Sequence, residues 1–137
     1  MTGRASVIVI VATSIAAASN AMSASAALPA TRASDIARAI LACWRPPYGG
    51  GEITLSLSLR RDGTIIGIPR VTYVEAGADS DDVADLKASI ADAVRGCTPV
   101  RLSGPLQSAI AGQVLRIRFV AERAAHAGTA TVIWTGT

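Results

Sequence analysis

With 137 residues, 13 basic and 10 acidic side chains and a formal net charge of +3, the chain is long enough for one modest core. Its positive charges are scattered, which argues against a nucleic-acid partner, since that needs a basic stripe and often aromatic platforms. One histidine and two cysteines without Cys-x-x-Cys spacing leave no ligand set for a structural metal, and no cofactor is expected.

Residues 1–26 read as a secretion signal. Arg4 supplies a positive head, Val7 to Ala12 an apolar core, and Ala16-Ala17-Ala18-Ser19 the small residues that follow; Ala5 to Thr31 carries no charge. This is the order of segments in a signal peptide. Ala24-Ser25-Ala26 puts small side chains at the two positions a signal peptidase must accept, so cleavage is expected after Ala26, with cleavage after Ala21 as the alternative. The competing reading is a retained membrane anchor. A spanning helix wants about 20 strongly apolar residues, whereas this segment fades after Ile15 into Ala, Ser, Asn and Thr. Either way the remainder leaves the cytoplasm. Removing the signal leaves 111 residues with a formal charge of +2, because Arg4 is lost.

Residues 27–33, rich in Ala, Pro and Thr, read as a tether. A helix capped by Thr31 or Ser34 follows, with Asp35 in its first turn, where the helix dipole favours a negative charge. Ile36, Ala39, Ile40 and Cys43 recur at helical spacing, and Pro46-Pro47 stops the helix. Ile53, Leu55, Leu57 and Leu59 then alternate with Thr54, Ser56, Ser58 and Arg60, the pattern of a strand with one buried face. Asp62-Gly63 predicts a tight hairpin turn. The return strand, Ile65 to about Val74, is interrupted by Pro69, which belongs at an edge or a bulge.

Asp79-Ser80-Asp81-Asp82 opens a second helix, with Val83, Leu86, Ile90, Val94 and Cys97 along one side and Gly96 and Pro99 at its close. The acidic cluster Asp79, Asp81, Asp82 and Asp85 superficially resembles a calcium loop. It lacks the glycine at the sharp turn and the distal glutamate, and the helix start already accounts for it. A short helical turn is expected over 106–112. Leu115, Ile117 and Phe119 alternate with Arg116, Arg118 and Val120 as a third strand. The tail, 122–137, is either a further strand over Thr131-Val132-Ile133-Trp134 or irregular.

Helix, strand, strand, helix, strand predicts an α+β layer sandwich, with two helices packed on a three-stranded antiparallel sheet of order 2-1-3. That order puts the alternating first strand in the centre and Pro69 on an edge. Cys43 and Cys97 end two apolar helical faces, and in an oxidising compartment a well-separated pair reads as one disulfide; two unpaired thiols are the alternative.

Cys43-Trp44-Arg45-Pro46-Pro47, an alternating strand, Arg61-Asp62-Gly63-Thr64, Gly67-Ile68-Pro69-Arg70-Val71, an Ala-rich helix, and Gly96-Cys97-Thr98-Pro99 with Leu102 together resemble the C-terminal domain of TolA and, more generally, TonB C-terminal domains. The resemblance spans roughly Ile36 to Val120, within a domain expected over 34–121. It implies a periplasmic, non-catalytic module that binds a periplasmic or outer-membrane protein, often by adding a strand to a sheet edge, in envelope integrity or energy-transducing transport. The sequence departs from the family in the absence of a long helical spacer, in a segment after Cys97 poor in aromatics, and in its tail. A secreted structural or inhibitory protein sharing only the fold is the alternative.

No catalytic group is expected. His126 lies in a Gly/Ala-rich stretch with no nucleophile in view, so it reads as a solvated loop residue. Trp44 is either an interface anchor or packing over the disulfide. In order 2-1-3 the third strand is an edge, so Gln113, Arg116, Arg118 and Val120 are the expected partner-binding edge. There Arg116 and Arg118 either steer an acidic partner or guard against aggregation.

The N-terminal reading sets a direct test. The intact mass of protein from a periplasmic extract should correspond to a chain starting at Ala27, and full-length protein in the inner membrane would restore the anchor.

Overall fold

The computed structural model describes residues 28–77, 80–123 and 127–133; the expected signal over 1–26, together with Asp79, His126 and Trp134, lies outside the described residues. The elements run α1 (Ala33–Cys43), β1 (Gly51–Ser58), β2 (Arg70–Glu75), α2 (Ser80–Cys97), α3 (Gly104–Ile110), β3 (Val114–Ala121) and β4 (Gly128–Ile133). The fold is α+β, with an antiparallel sheet of order β2-β1-β3-β4. The predicted 2-1-3 core of that order is present. The count of three strands and two helices is corrected to four and three.

The alternation in β1 has the predicted consequence: Ile53, Leu55, Leu57 and Leu59 are buried. So are Leu115, Ile117 and Phe119, which β3 brings alongside in register. Burying each such side chain is worth roughly 1.5–3 kcal/mol relative to exposure. α1 contributes Ile36, Ala37 and Ile40, and α2 contributes Leu86, Ile90, Ala93 and Val94, to this same face.

α1 starts without the expected Thr31 or Ser34 cap. The Asp35 carboxylate instead reaches back to accept from the N–H groups of Thr31 and Arg32, both at 3.1 Å, and from the Thr31 hydroxyl. The Thr31 backbone N–H is the largest of the influences holding the Asp35 pKa below its ordinary value. Within the expected tether, residues 30–32 are therefore bound chain. Ala30 is buried, bridges Leu102, donates to the Arg101 carbonyl and accepts from the Ser103 N–H.

The Asp62-Gly63 turn forms, but no continuous hairpin grows from it. Leu59 meets Ile65 in an isolated bridge, and pairing resumes only at β2. Gly63 serves a second neighbour: its carbonyl accepts from the Val100 N–H at 3.1 Å, its φ is 82°, and a Cβ there would collide with the Val100 main chain.

Of the two readings of the tail, the further strand is the one present, and it begins earlier than Thr131. The Glu122 N–H donates to the Ala127 carbonyl, and β4 pairs with β3 from Ala121↔Gly128 to Arg116↔Ile133. Ala130 and Val132 pack against the core. Trp44 explains how β4 fits. Its indole is 6% exposed, meets Phe119 edge-on at 5.3 Å, and donates from Nε1 to Ser89 Oγ at 3.0 Å. A Cβ on Gly128 would collide with that ring and lie 2.9 Å from the Val120 carbonyl oxygen. Trp44 is thus core, and the interface-anchor reading falls.

Cys43 and Cys97 form the predicted disulfide, with Cα atoms 5.9 Å apart and a sequence separation of 54. It ties the last residue of α1 to the last of α2. Closing a loop of this length stabilises by roughly 4 kcal/mol in the chain-entropy model. Replacing both cysteines by alanine should lower unfolding free energy in urea by about 2–5 kcal/mol, and non-reducing peptide maps of the parent should show the Cys43–Cys97 peptide.

Candidate binding surface

The sheet has two unlike faces. One carries the helices. No described element covers the other, which presents Glu52, Thr54, Ser56 and Ser58 from β1 beside Arg116, Arg118 and Val120 from β3. Directly paired residues project to the same face, so Tyr73, opposite Thr54, and Arg118, on its other side, flank that threonine. Thr54 is the one buried polar residue among the described residues.

Arg118 grips Glu52 with a fork of two bonds, Nε to Oε1 and Nη2 to Oε2, the latter at 2.6 Å. This bond, followed by the charge itself, holds the Glu52 carboxyl below its ordinary pKa and raises that of Arg118. The Tyr73 hydroxyl donates to Glu75 Oε2 at 2.6 Å, and that bond is the main reason its own pKa is raised.

The expected edge of Gln113, Arg116, Arg118 and Val120 is not an edge. Gln113 precedes β3 and donates its N–H to the Ile110 carbonyl. Arg116, Arg118 and Val120 sit between β1 and β4, paired with Ser56, Thr54 and Glu52 on one side and with Ile133, Thr131 and Thr129 on the other. β4 occupies the position an added strand would have taken. Arg118 is committed to Glu52, while Arg116 is exposed and makes no ion pair with a described residue.

The sheet's two edge strands are β2 and β4, and β2 is the more exposed. Arg70, Val71, Thr72, Tyr73 and Glu75 are all exposed, and Val74 alone is half-buried. On its inner side β2 pairs with β1 from Ser56↔Arg70 to Glu52↔Glu75; on its outer side no described strand pairs with it. A register shift between Thr54 and Leu55 leaves Thr72 as a bulge, held by its hydroxyl on the Thr54 carbonyl. The loop leading into this strand carries two exposed isoleucines, Ile66 at 41% and Ile68 at 88%.

Two concavities lie elsewhere. A groove of about 800 Å³ separates the Leu28–Thr31 segment and α1 from the chain after α2, with Ala39, Cys97 and Val100 in its lining and the Asp35–Arg38 pair at its border. A smaller cleft of about 350 Å³ at the end of the sheet is lined by Glu52, Glu75, Gly77 and Arg123 among others. Among the described residues no group of three His, Cys, Asp or Glu side chains could hold a metal ion, and no helix is long and apolar enough to cross a membrane.

Residues 26–123 match the family described as uncharacterised conserved protein UCP034077. The chain belongs to that family. The matched segment takes in every element from α1 to β3 and ends before β4. No curated protein and no solved structure matches the chain.

The Glu52–Arg118 pair makes a prediction of definite sign. Glu52 ionises at lower pH in the folded state than in the unfolded one. Its contribution to stability is therefore complete above the unfolded pKa and is lost as pH falls through the folded pKa. Arg118→Gln should move the Glu52 carboxyl upward in an NMR titration. It should also remove this residue's share of the acid-side loss of stability in denaturation series run across that window.

Proposed function

We propose that the chain is an exported, non-catalytic protein-binding module of the TolA/TonB C-terminal type, acting in the periplasm and recognising its partner by strand addition at β2. The observation that carries this reading is the exposure of nearly the whole of β2 on one edge of the sheet, beside two solvent-facing isoleucines, where β4 at the other edge alternates between exposed and half-buried. A free edge offers unpaired main-chain donors and acceptors, and an extended segment that pairs with them gains affinity from the backbone and selectivity from alternate side chains. Ile66 and Ile68 add apolar area next to that edge, of the kind that marks an interaction site when contiguous. The disulfide supports an oxidising compartment, and the 2-1-3 strand core supports the family resemblance at the level of fold.

The test is site-specific photocrosslinking in living cells. A photoreactive residue at Val71 should yield a crosslinked product, and one at Arg95, on the exposed side of α2, should not. Successive residues of a strand point their N–H groups to opposite sides, so one of Tyr73→Pro and Val74→Pro removes an outward donor. That variant should lose the Val71 product while its circular dichroism stays that of the parent. A Val71 product that survives both proline substitutions, or no product at Val71, would move the binding surface away from this edge.

A further inference from the structure

The β2 edge is complementary to itself. Its sequence is Arg70-Val71-Thr72-Tyr73-Val74-Glu75, and its ends carry opposite charges that the fold leaves uncompensated. The Arg70 side chain makes no ion pair or hydrogen bond with a described residue. The Glu75 carboxylate accepts the Tyr73 hydroxyl and makes no ion pair with a described residue, Arg123 lining the same cleft without reaching it; its partner across the ladder is Glu52, whose own cation is Arg118.

In a regular strand, residues five apart point to opposite faces. The bulge at Thr72 changes that parity. Arg70 pairs with Ser56, Tyr73 with Thr54 and Glu75 with Glu52, so all three lie on the open face. Val71, opposite Leu55, and Val74, opposite Ile53, lie on the helix face. Both charges are thereby on one face and both valines on the other.

We infer that the strand added to β2 is β2 of a second copy of this chain, antiparallel and related by a two-fold axis between Thr72 and Tyr73. This inference rests on the edge reading above and names its partner. A two-fold of this kind sets Arg70 against Glu75 of the second copy, and Glu75 against its Arg70, on the open face. It sets Val71 against the second copy's Val74 on the helix face, with Thr72 beside Tyr73 at the centre. Each directly opposed pair is one that favours pairing, opposite charges or β-branched side chains. A slip by one residue would put charge against valine and lose both ion pairs. The same register carries the exposed Ile68 toward the Ala76–Gly77 end of the second copy's edge, where the side chains are small.

Pro69 and the bulge limit the pairable edge to these six residues, which is a feature of edges protected from indiscriminate pairing. A six-residue contact buries less than the standard interface of about 1,600 Å². The dimer should accordingly be concentration-dependent, dissociating on the order of micromolar, and weaker in high salt because its ion pairs are solvent-exposed.

The experiment uses the full chain purified with its disulfide intact, followed by sedimentation equilibrium. The parent should pass from monomer to dimer as concentration rises. Arg70→Glu and Glu75→Arg each replace two attractive contacts by two repulsive ones, and each should weaken the dimer about tenfold or more. Mixing the two variants restores both attractive contacts in the heterodimer, so the mixture should associate where neither variant alone does. Circular dichroism matching the parent shows that each variant is folded. A parent that stays monomeric throughout, single variants that dimerise normally, or a mixture that fails to associate would each overturn the two-fold pairing. A monomeric parent that still gives an edge-dependent Val71 crosslink in cells would retain the edge and replace the second copy by another protein. Loss of that crosslink as well would remove the edge itself.

Discussion

Four elements meet at the indole of Trp44. Trp44 leaves α1 at its C-terminus, donates to Ser89 on α2, stacks edge-on against Phe119 of β3, and lies where any side chain on Gly128 of β4 would have to go. A buried indole needs a partner for its N–H, and Ser89 provides one while its own hydroxyl donates to the Leu86 carbonyl. The ring therefore has a fixed orientation, and the space beneath it admits only a residue without a Cβ. Glycine at 128 lets β4 approach β3 closely enough to pair along six positions. From that contact follows the distribution of edges: β3 becomes interior, and the open edge on the β1 side is β2.

Trp44 is also held from the other direction. The residue before it is Cys43, and the disulfide fixes the C-terminal ends of α1 and α2 at a Cα separation of 5.9 Å. The helix that delivers the indole and the helix that receives its hydrogen bond are thus covalently joined near their ends. A domain of this size has a limited core, and a cross-link acts on the unfolded chain without requiring more apolar residues. The sheet can then leave its second face polar. On that face Arg118 and Tyr73 shelter Thr54, and Arg118 neutralises Glu52, which leaves Glu75 without an ion pair to a described residue and opposite a like charge across the ladder.

What was legible in the sequence was what repeats. Four alternating apolar residues announced β1, three announced β3, and the helical spacing that ends at Cys43 and Cys97 announced both the helices and their bond. Pro69 announced an edge, and β2 is one. What was not legible depended on contacts between distant residues. β4 is short, begins with glycine, and turns only Ala130 and Val132 toward the core, so its own pattern is faint. The signal for it was a glycine in the tail and an unpartnered tryptophan near residue 44, which only tertiary packing connects. The Asp62-Gly63 pair looked like a hairpin turn and is one locally, but its glycine also admits the Val100 main chain, and the strand that should follow is delayed to Arg70. The candidate edge on β3 was misplaced because the strand offered for the tail was left out of the 2-1-3 sheet, and β4 takes the place beside β3.

The bulge at Thr72 is the least legible feature and has the largest consequence for recognition. Without it, Arg70 and Glu75 would lie on opposite faces, and no two-fold pairing of β2 could satisfy both. With it, the strand that is hardest to extend indiscriminately becomes the one that matches itself in a single register. Closure separates this arrangement from aggregation. A two-fold contact uses the β2 edge of both copies at once, so association stops at two, whereas a head-to-tail contact between unlike edges would propagate. Proline before the strand and an irregularity within it discourage other chains from docking. The paired charges and valines make an exception for an identical strand running the opposite way. Protection of the edge and selection of its partner are therefore consequences of the same few residues.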